Sequence, residues 1–532
     1  MASVDNVVRH VGAQAKFNTA RHSLGITRAV IVTCRYKVPS TYLRQQSLSL
    51  YDAIENALAA VVLRQAMLCV GIAGEDTKEP AFVHLKTIDM RRMIEWDELL
   101  STGITADKNK DEEDLAVTQR EDHLIRALEK YHEALWEHLA DKPGWKIVVH
   151  HDPRQLGALQ SKEEDALLSL DISFCFHHAY SDGKGGYIFH RDLQRALNNT
   201  ARPPELNNHI LHLPTAPTLP PAMDTLIPFS LSWAFILRMI WAEILYPVLL
   251  PPFLRRLLFL EPKEADIPWT GAPVDGSNPK VHIRMLLKVN EAQLSRIMAQ
   301  CRSHKTSLTG LLHALIARSL SRLIRGKPFR SMTPISLARY ADPSIAGSTF
   351  TPDGTIHCLI TGLSCGHDLD TLRRLQQGRD DGHTRVGDDA AVWALARDIT
   401  ARLRDKAASL PRDDIQALSG LIGDWHGFIR NKFGKARDDT WELSNLGSLS
   451  VVDSGIVESG KNEEDEGHWL IDRAVFTQGA NAASAAIKIN VAGVAGHGIC
   501  VTVNWQDGIV DVDLVEKLVG EMRACVAELD EI

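Results

Sequence analysis

Between Asp171 and His190 the chain reads DISFCFHHAYSDGKGGYIFH. The mostly apolar run ending at Phe176 leads directly into two histidines, and Asp182-Gly183 follows within a few residues. The aromatic-rich run predicts a buried strand, the Asp-Gly step a tight turn with glycine at positive φ, and GGYIFHRDLQRALN a helix. A strand that stops in this way sets imidazole at the lip of a sheet. Neighbours along a strand point to opposite faces, so one of His177 and His178 is expected in a cleft and the other packed inward. An imidazole in a cleft, with an ordinary pKa of about 6.5, suits general-base chemistry near neutral pH.

The rest of the chain decides what surrounds that element. At 532 residues it is long for one compact domain, and two or three units are expected. With 45% hydrophobic and 24% charged residues it can bury a large core, while a net charge of -8 argues against nucleic acid or an anionic surface as main partner. The acidic runs DKNKDEED (107–114) and ESGKNEEDEG (458–467) read as solvated loops. Eight scattered cysteines without CxxC pairs speak for a reducing, cytoplasmic setting and against a zinc ribbon or disulfide framework, and the N-terminus lacks the apolar core of a secretory signal.

Strands are expected at RAVIVTCRY, AFVHLKTI, WKIVVHH and ALLSLDISFCFHH in the first half, with helices at LYDAIENALAAVVLRQAML and LIRALEKYHEALWEHLA. In the second half KVHIRMLLKV, FRSMTPISLA, TIHCLITGLS, ELSNLGSLSVV, AAIKINVAGV and GICVTVNW read as strands, and DVDLVEKLVGEMRACVAEL as a closing helix. Both halves alternate without a regular βαβ cadence. The expected class is α/β (α+β) with two similar lobes: 1–200, a crossover at 201–275, and 276–532. The crossover begins proline-rich. Its segment 228–260 is the most apolar of the chain, but Arg238, Glu243, Pro247, Pro251 and Pro252 leave no run of the ~20 apolar residues a span needs. Two readings stay open for it: a helix packed between domains, or a peripheral helix in a membrane interface with Trp233 and Trp241 at the headgroups and Arg255 and Arg256 flanking.

HHAYSDG (His177–Gly183) fits HHxxxDG, and through it the chain resembles the CoA-dependent acyltransferase superfamily of chloramphenicol acetyltransferase, plant acyltransferases and nonribosomal condensation domains. Within that group it is most similar to the fungal alcohol acetyltransferase family, through PWTG (268–271), SLTGLLHALI (307–316), PISLARY (334–340), VWALARDI (392–399), SNLG (444–447) and FTQGANAASAAIKINV (476–491). The resemblance implies two chloramphenicol acetyltransferase-like lobes with a tunnel between them. It implies His178 as the base that deprotonates an acceptor alcohol for attack on an acyl-CoA, most plausibly acetyl-CoA, with no permanent cofactor. Asp182 is the second motif residue at the centre; by resemblance it turns away from His178, shapes the turn and pairs with an arginine. Arg339, at the end of PISLAR, is the candidate, with His177 and Gly183 as structural neighbours. SNLG stands where plant relatives carry DFGWG, so Asn445 and Gly447 are expected to let backbone pass beside the tunnel. The oxyanion donor is left among Ser444, Asn445 and Thr477. Expected partners are a small-molecule alcohol and acyl-CoA, with a carrier-protein thioester as alternative donor, for a monomeric enzyme.

Other chemistries are weighed on the same residues. His178 and Asp182 would share a face for a metal only if 179–181 were helical, a third ligand from VVHHD has no supporting spacing, and no metal is expected. In HEALWEH the histidines are six apart on different helix faces, which fails the zincin pattern. GLSCG (362–366) is a literal GxSxG that offers Ser364 as an esterase nucleophile with His497 downstream, but GHDLD separates it from the next helix, so a loop after a strand is expected there. A non-catalytic lipid- or carrier-binding scaffold is the remaining alternative.

Overall fold

Two mixed sheets with flanking helices carry the chain in the computed structural model, which describes residues 6–39, 49–99, 110–153, 168–199, 204–241, 266–377, 386–450, 468–479 and 483–530. In chain order the first lobe contributes α1 (Ala13–Ser23), β1 (Val30–Lys37), α2 (Leu50–Arg64), β2 (Ile94–Glu98), α3 (Lys110–Glu133), β3 (Trp145–His151), β4 (Ser169–Phe176) and α4 (Gly183–Asn198). After α5 (Trp233–Ile240) come β5 (Val281–Val289), α6 (Leu308–Leu323), β6 (Phe329–Ser336), β7 (Ile360–His367), α7 (Ala390–Ser409) and β8 (Asp439–Leu449). The chain then runs through β9 (Leu470–Gln478), β10 (Ala485–Val494), β11 (Gly498–Gln506) and α8 (Val512–Asp530).

The first sheet has the order β9-β1-β4-β3-β2, antiparallel except for the β3–β2 pair. Its strands are buried and β-branched, and α4 packs across them, with Phe174 of β4 stacked on Phe189 of α4 at a 3.9 Å centroid distance. In the second sheet the order is β5-β11-β10-β8-β6-β7, with β8 parallel to both β10 and β6. One face of it (Trp441, Leu443, Ile487, Ile489, Val501, Val503) packs on α6, α7 and α8 in a core of its own. The alternate residues (Glu442, Ser444, Lys488, Asn490, Thr502, Asn504) are also buried, but they face the first lobe. Strands apolar on one side and polar on the other normally have one wet face; here the polar face is the interior between lobes.

β9 departs from the expected division. It falls inside the stretch assigned to the second lobe (276–532), yet it hydrogen-bonds to β1 as an edge strand of the first sheet. Arg473 anchors it there, donating to Asp171 of β4 and Glu121 of α3, each at 2.7 Å. Side chains of the second sheet tie it on the other side: Thr502 Oγ1 donates to the Phe476 carbonyl at 2.6 Å and Asn504 Nδ2 to the Gln478 carbonyl at 2.8 Å.

α3 begins at Lys110, inside the acidic run expected to be a loop, and ends at Glu133, so His138 is off the helix, at φ 57°. β7 starts at Ile360 and not at Thr355. The described part of the apolar segment forms α5, with no buried residues and with Trp233 and Leu237 79% and 62% exposed. These residues are not packed between domains; residues 242–260, like the acidic run 458–467, lie outside the described residues. Among the described residues no helix is long and apolar enough to cross a membrane. All eight cysteines are free.

Candidate active site

β4 ends at Phe176, so both histidines lie just beyond it. His177 is buried. Its Nδ1 accepts the Ala179 N–H at 2.9 Å, which fixes the proton on Nε2, and that N–H donates to Glu75 Oε1 at 2.8 Å. The same carboxylate oxygen takes Nδ1–H of His22 at 2.8 Å, while Nε2 of His22 accepts the Trp136 N–H. Burial works against a charged Glu75, but the two histidine hydrogen bonds outweigh it and hold its pKa at about 2. Burial pushes His177 down to about 4. Among the described residues these three alone sit close enough to share an ion. Backbone N–H groups occupy the far nitrogens of both rings, so the nitrogens that face Glu75 carry protons and have no lone pair for a metal.

His178 stands in the turn, half-buried, on the wall of a cavity of about 380 Å³. Its Nδ1–H donates to the Ser181 carbonyl at 3.0 Å, and Asn18 Nδ2 holds the His178 carbonyl at 3.0 Å. That leaves Nε2 with its lone pair and no hydrogen-bond partner among the described residues. Burial, and then the positive charge of Arg21, push the imidazole down to about 3, so it stands neutral at physiological pH.

Asp182 caps α4: its Oδ1 accepts the Gly185 N–H at 3.1 Å. Oδ2 accepts the Leu359 N–H at 3.1 Å and faces His357 Nδ1 at 3.6 Å. Burial disfavours the carboxylate, but the His357 contact and these N–H groups prevail, so its pKa is lowered and that of His357 raised. The expected partner, Arg339, is elsewhere. β6 stops at Ser336, the chain makes a 3₁₀ turn over Ala338–Tyr340, and Arg339 swings out to solvent over the Tyr340 ring. A histidine takes the cation's place, and it joins the motif helix to the chain just before β7.

Gly183 does not supply a positive φ. It is the first residue of α4, and a Cβ there would lie 2.4 Å from Leu446 Cδ2 of β8. The second lobe sits directly on the motif turn. Tyr187, one turn further on, shares its hydroxyl proton between the carbonyls of Gly447 and Gly493 and accepts the Gly493 N–H at 2.9 Å.

SNLG lies at the end of β8, where the pairing with β10 shifts register between Asn445 and Ser448. Gly447 adopts φ 72° and its N–H is held by Asn445 Oδ1, so this tetrapeptide forms a bulge on the cavity wall. Asn445 Nδ2 is engaged by Thr309 at 3.1 Å. Ser444 lines the cavity with no hydrogen-bond partner among the described residues. Thr477 does not reach it: on β9 it points to the opposite face and donates to His132 Nε2 at 2.8 Å. Ser364 is on the cavity rim but inside β7, paired opposite Met332, so it sits on an extended strand without the sharp turn of a nucleophile elbow. Sequence reading missed Glu75, His357, Arg21 and Lys488; the signal for Lys488 is the polar alternation in IKIN.

His178, on the wall of a cavity between two mixed sheets and in a turn that carries HHxxxDG, sits in the fold and motif expected of a two-lobed acyltransferase. Solved structures share this fold: the TRI3 trichothecene 15-O-acetyltransferase of Fusarium sporotrichioides aligns with TM-score 0.58 at 12% identity, over 98% of this chain and 94% of that one. The condensation domain of the monacolin K polyketide synthase MokA aligns with TM-score 0.52 at 11% identity, over 99% and 97%. Residues 52–334 match the alcohol acetyltransferase family, and the chain belongs to that family. The probable alcohol acetyltransferase FCK4 of Fusarium pseudograminearum is 28% identical, over 97% of this chain and 94% of its own length.

Proposed function

We propose that the protein transfers an acetyl group from acetyl-CoA to an alcohol, with His178 as general base. His178 Nε2 takes the hydroxyl proton as the oxygen bonds to the thioester carbonyl carbon. The C–S bond then breaks, and the imidazolium returns the proton to the leaving thiolate, giving ester and free CoA. A thioester is already activated, so no covalent enzyme intermediate is needed; the protein supplies alignment and a base. Ser444 Oγ–H, unengaged on the cavity wall, is the donor we assign to the developing oxyanion. The acetyl group and the CoA donor rest on the family and on the relatives named for acetyl transfer.

The observation that carries this reading is the tautomer: with Nδ1–H tied to Ser181, Nε2 is the free lone pair. Incubation with acetyl-CoA and a panel of alcohols, read by mass spectrometry for acetylated product and by free CoA, tests it. Ester and CoA in equal amounts are expected. CoA release without ester, at the same rate with and without alcohol, contradicts it.

A further inference from the structure

Arg21 sits in the last turn of α1, 7% exposed, on the wall of the cavity that holds His178. Among the described residues no carboxylate pairs with it. Nη2 donates to Asn18 Oδ1 at 2.5 Å, the Phe17 ring lies 4.4 Å from Cζ, and Nε has no acceptor. Lys488 of β10 lines the same cavity, is 6% exposed, and gives Nζ–H to a neutral acceptor, Gln478 Oε1, at 2.9 Å.

The carboxylates on the cavity wall do not neutralise both of these cations. Asp182 is committed to His357 and to backbone N–H groups, and Asp438 to Lys432 at 2.6 Å. Glu442 lies beside Lys488 in the β8–β10 register and offsets one positive charge. The remaining lining cation, Lys184, is exposed at the rim and donates to the Leu446 carbonyl. What is left is about one unit of buried positive charge beside the base.

A buried cation with only neutral partners is destabilising by several kcal/mol, and such groups are ordinarily paired. A guanidinium in particular matches a carboxylate in shape and charge. We infer that the acceptor alcohol is a hydroxy acid, whose carboxylate is held by Arg21 and Lys488 while its hydroxyl meets His178. This rests on His178 being the base of an acceptor site. A single surplus charge fits a monoanion better than a phosphate dianion. The bound carboxylate would also offset the Arg21 charge that weakens His178, so the base strengthens when the acceptor is in place.

Binding and turnover are measured on one matched pair, 4-(hydroxymethyl)benzoate and its methyl ester, with the full-length protein. Calorimetry is expected to show the acid bound at least about tenfold more tightly than the ester, with a preference that weakens in high salt. Arg21→Gln and, separately, Lys488→Gln should each bring the ratio towards one. Arg21→Lys should keep part of the preference, and Arg21→Gln should raise Tm, because it removes a buried unpaired charge. Equal or weaker binding of the acid in the wild type overturns the anion site, whatever the turnover shows. An acid that binds preferentially and is not acetylated leaves the anion site standing and removes the acyl-transfer reading of His178.

Discussion

Asp182→Ala removes three things at once, and each has a magnitude. Oδ1 caps α4 through the Gly185 N–H; losing such a cap costs about 0.5–2 kcal/mol. The Leu359 N–H, buried between the lobes, loses its acceptor, a further ~1–3 kcal/mol. His357 loses the charge that raises its pKa, so burial takes over and its pKa falls below the ordinary value. A destabilisation of about 2–4 kcal/mol in urea unfolding at pH 7 is expected. Asp182→Asn is the informative companion, because its amide oxygen can still cap the helix while the ion pair is lost. The raised His357 pKa means that the pairing contributes fully below pH ~6.5 and fades as pH climbs through the raised value. The Asn variant should therefore be further below wild type in stability at pH 6 than at pH 9, and NMR titration should show the His357 pKa lowered in both variants. Loss of less than about 0.5 kcal/mol in the Ala variant, or an unmoved His357 titration, would refute the cross-lobe role.

Burial depresses His132 and His313 to about 3 and His177 and His190 to about 4. The unfolded chain therefore binds more protons than the native one, and stability should be lost as pH falls from about 6.5, by about 2 kcal/mol per imidazole at pH 5. Urea midpoints at pH 7.5 and pH 5 check this; equal midpoints contradict it. Arg473→Met leaves buried Asp171 with Arg120, at 3.5 Å, as its remaining ion-pair contact among the described residues, and a loss of about 3–5 kcal/mol is expected in the same assay. A loss below 1 kcal/mol would mean that β9 is held by its backbone ladder alone. For a neutral acceptor, kcat/KM per folded enzyme should stay flat from pH 8 to pH 5, since His178 protonates only near 3; a fall centred at 6.5 would show an unperturbed base.

The motif was legible because it is local. Residues 169–198 hold the strand, the turn and the helix cap in one continuous stretch, so apolar run, Asp cap and helical period all agree. The two sheets and most of their strands follow from the same kind of local pattern. Partners set by tertiary packing were not readable. Asp182 meets His357 rather than Arg339 because β6 ends three residues early for Arg339 to follow the strand line. Thr477 serves no part of the site because β9 crosses into the first sheet and turns its hydroxyl to His132. At Gly183 the Asp-Gly step points to backbone freedom, whereas its lack of a side chain serves the approach of Leu446. One non-local feature did leave a trace: the alternation in WELS, IKIN and VTVN places polar residues on one side of strands that have no wet side. That pattern marks the face between the lobes.

The most direct test is single-turnover acetyl transfer by His178→Ala, with circular dichroism and Tm to confirm the fold. With acetyl-CoA and an accepted alcohol, loss of about 10²–10⁴-fold in rate is expected, with CoA binding retained. A folded His178→Ala protein that makes ester within a few-fold of the wild-type rate would contradict the assignment of His178 as the base.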